Sequence, residues 1–338
     1  MTAIKPIQNI TVLGAGRWGT AMAIYLSRKE ELRVTLQCHL QSEYDELKAN
    51  DRAPNLPGFS CEGRIHFELD LIKSLENADL VVVAIPVAFM RGVLKRIEGL
   101  SDSTVIVSIN KGIERESLQT VPEIVREYFP NNPLAHLGGP CFPEGLLSDI
   151  TPAAETMACE DEKMGAQLQE LFSSTSFRVY RSVELKGVAL LGALKNIYAI
   201  IAGIADGIGL YEEVISVVVT RGLAEMKRFC QHQGISFETL YGLSGLGDLA
   251  LTCYSPKSSH NKNFGRRIGK GEKVEDILAS MGGTVAEGYY TTKAVWEISK
   301  KENIDLPLCK GVYQVIYENM SLKDSMMELM NRPLKVED

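Results

Sequence analysis

Lys195 stands inside an almost unbroken apolar run, ELKGVALLGALKNIYAIIA at 184–202. Lysine is almost never fully buried unless its amine has a partner. An amine held among apolar side chains has a lowered pKa and can exchange a proton near neutral pH. Such a group suits proton transfer, or stabilisation of charge on a ligand. The bland alternative is a lysine that snorkels to the surface along its stem, or pairs for structure only. Gly187, Gly192 and Ala193 thin one side of the run, which predicts a helix packed closely on several sides.

Three further stretches carry chemistry-bearing side chains. Lys111 follows the apolar run at 104–109, which reads as a strand. A lysine just past the C-terminal end of a parallel strand points into the crevice where such sheets bind ligands; the alternative is a solvated loop lysine. Asp248 lies in YGLSGLGDLALTC, where Gly242, Gly245 and Gly247 surround one acid with small residues. That pattern suits a backbone wrapped close to a ligand, and equally an Asx turn or helix cap. The segment YSPKSSHNKNFGRRIGKG is basic within an acidic protein. Its Ser259, His260 and Asn261, placed at a helix start, have the composition of a phosphate site.

The elements that must position these groups fall into two kinds. The short β-type run at 9–13 enters GAGRWGTAMAIYLS, where Gly14, Gly16 and Gly19 fit G-x-G-x-x-G. The first glycine makes the tight turn, the second admits a pyrophosphate, and the third lets the helix pack on the sheet. Strands follow at 32–38, 80–86, 104–109, 134–137, 153–158 and 177–180, with a helix at 162–172; residues 42–68 are polar and broken by prolines. The second strand ends in Gln37-Cys38-His39, with no acid to hold the ribose hydroxyls. His39 faces the adenosine ribose or its phosphate, or else lies in a solvated loop. Pro86 stops a buried strand at the ligand edge, and Phe89 and Met90 behind it either wall the cofactor or simply pack. The strand at 134–137 ends in Gly138-Gly139-Pro140-Cys141-Phe142-Pro143, a rigid turn whose backbone suits a small ligand and whose Cys141 is expected to face the crevice. Beyond 184 the pattern is helical, including 214–231 with Arg221 and Glu225 four apart on one face. The expected fold is α/β: a Rossmann-like dinucleotide-binding domain over 1–185, then an all-helical substrate domain over 186–338.

Composition narrows the class. At 338 residues, 45% apolar and 23% charged, the chain is an ordinary globular protein long enough for two cores. A net charge of −7 argues against a nucleic-acid partner. Seven scattered cysteines with no CxxC read as reduced cytoplasmic thiols, and no zinc or other metal pattern is present. The chain start has no signal-peptide pattern, and lysines and glycines interrupt the one apolar run that approaches a membrane span.

Taken together, GAGRWG at 14–19, NKG at 110–112, GALKN at 192–196, GLGDL at 245–249 and SHN at 259–261 resemble the NAD(P)-dependent glycerol-3-phosphate dehydrogenases, especially the bacterial form. The glycine fingerprint is generic; GALKN followed by GLGDL is specific. The resemblance implies that Lys195 is catalytic with Asp248 in the active site, and that Lys111 contacts substrate and cofactor. It puts Gly139, Cys141, Ser259, His260 and Asn261 on the substrate. It puts Gly14, Gly16, Arg17, Trp18, Gly19, His39, Pro86, Pro143, His260, Val285 and Glu287 on NAD or NADP. The implied reaction is hydride exchange between NAD(P)H and dihydroxyacetone phosphate, giving sn-glycerol 3-phosphate for phospholipid synthesis, by a cytoplasmic enzyme that forms a homodimer. Three positions depart from the family pattern: His260 replaces the usual arginine, Cys141 a serine or threonine, and Pro143 an alanine. Arg266 or Arg267 would then supply the missing fixed charge. The rivals are a related dehydrogenase of a hydroxy acid or sugar acid, and a non-catalytic NAD(P)-binding sensor.

Overall fold

A computed structural model describes residues 6–52, 55–255, 259–281 and 286–337. The chain forms two compact units. The first takes the chain up to Asn110 and then Val121–Leu185; the second takes Lys111–Thr120 and the chain from Lys186 onward.

The first unit is a sheet with the order β3-β2-β1-β4-β5-β6-β7-β8. Its strands are β1 (Asn9–Leu13), β2 (Arg33–Gln37), β3 (Ile65–Glu68), β4 (Leu80–Val83), β5 (Val105–Ser108), β6 (Leu134–Gly138), β7 (Ala153–Cys159) and β8 (Phe177–Ser182). All neighbours run parallel except β6 and β7. The helices are α1 (Arg17–Ser27), α2 (Gln41–Asn50), α3 (Leu71–Leu75), α4 (Val87–Leu94), α5 (Val121–Tyr128), α6 (Pro143–Leu146) and α7 (Glu162–Phe172). Every residue of β4 and β5 is buried, which is why those strands read as unbroken apolar runs. The order reverses between β1 and β4, and the carboxyl edge at such a switch point is where open α/β sheets bind ligands. The stretch 42–68, read as broken from its composition, holds most of α2 and all of β3. Leu47 is the one buried residue of α2, and β3 is an edge strand with a single buried position, so neither carries an apolar signal.

The second unit is helical, with α8 (Leu185–Gly207), α9 (Glu212–Gln233), α10 (Phe237–Tyr241), a π-helical turn (Leu243–Gly247), α11 (Asp248–Tyr254), α12 (His260–Gly269), α13 (Val274–Ser280), α14 (Glu287–Glu302), α15 (Pro307–Tyr317) and α16 (Leu322–Met330). α8 has the length and composition of a membrane span, but 89% of its most apolar window is buried, as expected of a core helix. Glycines bring α12 against it. A Cβ on Gly203 would lie 2.0 Å from Lys262 O, and one on Gly265 would lie 2.0 Å from Ile200 O. Only glycine permits two helices to meet at that separation. Asp206 then accepts ion pairs from buried Lys262 at 3.1 Å and from Arg266 at 3.0 Å.

Residues 111–120 group with the helical unit rather than with 1–110. Ile113 packs in the apolar core that holds Leu190, Leu191 and Leu194, and Lys111 has its ionic partner there. The helix at 214–231 also differs from the i, i+4 reading. Glu225 is fully buried and accepts hydrogen bonds from Leu308 N at 2.5 Å, Cys309 N at 3.2 Å and Tyr198 Oη at 3.3 Å. It closes the N-terminus of α15, whose first N–H groups have no intrahelical acceptor, while Arg221 pairs with Glu337 at 3.8 Å.

Candidate active site

The glycine turn between β1 and α1 separates packing demands from ligand demands. Gly14 has φ +103°, and a Cβ there would sit 3.0 Å from Ala84 O. A Cβ on Gly19 would lie 2.1 Å from Gly14 O. The protein's own packing therefore requires both. On Gly16 a Cβ would meet nothing within 4 Å. Its lack of a side chain answers no neighbour among the described residues, and it is the position where a dinucleotide needs backbone approach. Gly16 is the N-cap of α1 with no side-chain cap, so the first N–H groups of that helix stay available to an anion. The residues present fit a dinucleotide.

The other cofactor candidates in the first unit behave unequally. Arg17 and Trp18 are half-buried at the start of α1, and Arg17 is ion-paired with Glu144 of α6. His39 is exposed beyond β2, and Gln37 turns its amide nitrogen onto Cys38 O at 2.6 Å and Leu69 O at 3.2 Å. Pro86 is exposed as the N-cap of α4, Met90 is core, and Phe89 is exposed. Gly139 has a structural reason of its own: with φ +157°, a Cβ would lie 2.9 Å from Glu155 Cα. Cys141 does not face solvent as the strand direction suggested. It is buried, because the turn folds back with Cys141 N donating to Gly139 O at 3.0 Å. Pro143 opens α6.

The second unit gathers the ionisable groups. Lys195 is buried on α8 and does not snorkel. Its Nζ donates to Asp248 Oδ1 at 2.5 Å and to Thr252 Oγ1 at 2.7 Å. Thr252 Oγ1 donates in turn to Asp248 O at 2.7 Å, so its lone pairs face the ammonium. Asp248 is fully buried in the first turn of α11 and does not cap it; its Oδ2 accepts from Lys111 Nζ at 2.7 Å. The stem of Lys111 lies over Gly192, with Cγ 3.5 Å from where a Cβ would stand. The turn preceding α11 needs Gly245, since a Cβ there would fall 2.0 Å from Leu240 O. The glycines around Asp248 thus wrap backbone on backbone and deliver the acid between two lysines. Burial lowers the Lys195 pKa to about 8; Asp248 pulls it up and Lys111 pushes it down.

The basic segment begins as expected. Ser259 caps α12 by accepting from Lys262 N at 3.2 Å. His260 is exposed, and Asn261 is buried with its Oδ1 accepting from Gly288 N at 2.8 Å. Glu287 opens α14, and Val285 lies outside the described residues. Arg266 and Arg267 are not spare charges for a ligand, because Arg266 pairs with Asp206 and Arg267 with Glu272 at 2.5 Å. Sequence reasoning missed Thr252, although a hydroxyl four residues after an acid lies on the same helix face. It also missed Gly288, whose Cβ would lie 2.8 Å from Asn196 O and 2.9 Å from Asn261 Oδ1. Among the described residues no group of three or more His, Cys, Asp or Glu could hold a metal ion.

The sequence matches two family models that together span most of the chain: the N-terminus of NAD-dependent glycerol-3-phosphate dehydrogenase at residues 9–165 and its C-terminus at residues 184–327. It is 38% identical over 334 residues to a glycerol-3-phosphate dehydrogenase, NAD(P)+, of Syntrophotalea carbinolica, covering 97% of this chain and 99% of that one. It is 37% identical over 335 residues to the protein of the same description from Citrifermentans bemidjiense, covering 98% and 99%. A crystal structure of glycerol-3-phosphate dehydrogenase from Coxiella burnetii superposes with a TM-score of 0.90 at 32% identity, covering 96% of this chain and 99% of that one.

Proposed function

The chain belongs to the NAD(P)-dependent glycerol-3-phosphate dehydrogenase family, and we propose that Lys195, Asp248, Thr252 and Lys111 carry its chemistry. It is an oxidoreductase that interconverts dihydroxyacetone phosphate and sn-glycerol 3-phosphate with NAD or NADP as cofactor. The nicotinamide, when bound, supplies or accepts the hydride. The residues do the rest.

One observation carries the assignment. An ammonium has three N–H donors, and Lys195 commits one to Asp248 and one to Thr252. The third is left for the substrate oxygen. Asp248 and Thr252 fix the direction of that donor, and burial keeps water from weakening it. As the ketone is reduced, charge grows on the oxygen. Lys195 stabilises it and passes its proton. In reverse, the neutral amine takes the alcohol proton. A pKa of about 8 places both forms within reach of neutral pH. Lys111 leaves the cluster with one net positive charge, which favours an anionic substrate.

Ser259, His260 and the amide nitrogen of Asn261, at the start of α12, are the phosphate grip. Binding energy from that remote group aligns the reacting carbon. Gly139 and Cys141 are assigned to the substrate on the family resemblance alone. Gly14, Gly16, Arg17, Trp18 and Gly19 take the dinucleotide, with His39, Pro86, Pro143 and Glu287 at its borders. No acid ends β2, which suits use of NADP as well as NAD. Pairing of two copies and residence in the cytoplasm belong to the same proposal.

The test is cofactor oxidation with dihydroxyacetone phosphate, run separately with NADH and NADPH. Lys195→Ala is expected to keep cofactor affinity and lose most of kcat. Near-wild-type kcat in that variant would remove Lys195 from the chemistry. Turnover only of a 3-hydroxy acid or a six-carbon sugar acid would favour the related dehydrogenases, and NADPH binding without turnover of any ketone would favour a sensor.

A further inference from the structure

Arg17 opens α1 directly behind the glycine turn, yet its guanidinium already has an anion of the chain's own. Its Nη2 is paired with Oε1 of Glu144 in α6. The two side chains are 33% and 43% exposed, so a ligand can reach the pair. The contact is one-pronged. Arg17 Nε and Glu144 Oε2 are buried and have no hydrogen-bond partner among the described residues, although a guanidinium and a carboxylate can join through two parallel bonds. Glu144 does not depend on Arg17 for its place. Arg28, beyond the end of α1, holds the α6 segment through Leu147 O at 3.0 Å and Asp149 Oδ1 at 3.3 Å. No acid occupies the first turn of α1 itself. Glu144 is therefore the carboxylate that offsets the charge Arg17 brings to the turn.

We propose that Glu144 sets the strength of dinucleotide binding by competing with the cofactor phosphates for Arg17. This rests on the glycine turn being the dinucleotide site, as argued above. A carboxylate beside a diphosphate acts twice against it: it repels the phosphates and engages their counter-ion. Holding affinity below what the turn alone would give keeps cofactor release from slowing turnover, a step that limits many enzymes. Glu144 touches no reacting atom and acts through Arg17.

The test is a direct titration of the full-length chain with NADPH and with NADH, following the fluorescence of Trp18 and Trp296. Glu144→Gln keeps the size of the side chain and an acceptor for Arg17 but removes the charge. Its cofactor Kd is expected to fall about tenfold at low salt, the scale of one unit charge removed at contact distance near a protein surface. The gain should shrink at about 0.5 M salt, which a purely structural effect would not do. Arg17→Gln is expected to weaken cofactor binding. In the Arg17→Gln background, Glu144→Gln should change Kd by about twofold or less, because no guanidinium is released. A Kd unchanged or raised in Glu144→Gln, with Arg17→Gln still weakened, overturns the competition. An Arg17→Gln variant with undiminished cofactor affinity instead overturns the placement of Arg17 on the cofactor.

Discussion

Asp248→Asn asks whether the carboxylate is what keeps the amine proposed as catalytic, that of Lys195, charged. The change is isosteric and spares the glycine turn that places residue 248. Lys195 sits at about pH 8, lowered by burial and held up by Asp248. At pH 7.5 roughly three-quarters of the wild-type lysine is then protonated. An opposite charge within contact distance supports a buried cation by about 1–3 pKa units. Without it, and with Lys111 still nearby, Lys195 falls to around 6. At pH 7.5 only about 3% would carry the proton, so ketone reduction loses about 25-fold from protonation alone. Deprotonation also keeps the variant folded, because an unpaired buried ammonium would cost about 3–5 kcal/mol. Reduction uses the protonated form, which exists below the pKa and disappears above it. The falling limb of kcat for NADPH oxidation should therefore move from about 8 in the wild type to about 6 in the variant. The variant should recover to within a few-fold of wild type near pH 5.5. A limb that stays near 8, or a kcat at pH 7.5 within twofold of wild type, would refute the assignment of Asp248 as the group that keeps Lys195 protonated.

Two other outcomes follow from buried or departing residues. Burial raises Glu225 from 4.5 to about 7, against the hydrogen bonds from Leu308 and Cys309. The folded chain then holds this proton where the unfolded chain has lost it, so stability falls by about 3 kcal/mol as pH rises from about 4.5 to 7. Urea denaturation across that window should show the slope in the wild type and not in Glu225→Gln; parallel slopes would count against a protonated Glu225. His260 stands in the segment proposed to grip the phosphate, so His260→Arg, which fixes a positive charge there, is expected to lower KM for the phosphorylated substrate by a few-fold; an unchanged KM would remove His260 from the phosphate contact.

Which features the sequence disclosed depends on whether a residue's reason was local. Gly14, Gly16 and Gly19 announce themselves because a tight turn, a close ligand approach and a helix–strand contact fall within one short motif. Lys195 is conspicuous because its neighbours in sequence are apolar. α2 and β3 were invisible because each buries a single residue, so periodicity had nothing to register. Residues 111–120 looked like part of the sheet domain because strands precede and follow them. Their attachment to the helical unit rests on Ile113 and on the Lys111–Asp248 pair, contacts made across 137 positions of sequence. The same limit hid Glu225. Its spacing from Arg221 suggested a surface pair, whereas its partners lie on α8 and α15. Arg266 and Arg267 read as spare cations because Asp206 and Glu272, which neutralise them, are recognisable as partners only once the helices are packed.

The glycine contacts along α8 also bear on where the start of α12 lies. Gly203 against Lys262 and Gly265 against Ile200 set α12 on α8, so the start of α12 comes level with Asn196 and Ile200. A Cβ on Gly288 would lie 2.8 Å from Asn196 O and 2.9 Å from Asn261 Oδ1, so the bare start of α14 lets Asn261 lie beside the residue that follows Lys195. A bulkier residue at Gly203 or Gly265 would hold α12 off α8 and shift Ser259, His260 and Asn261 relative to Asn196 without altering any of those residues.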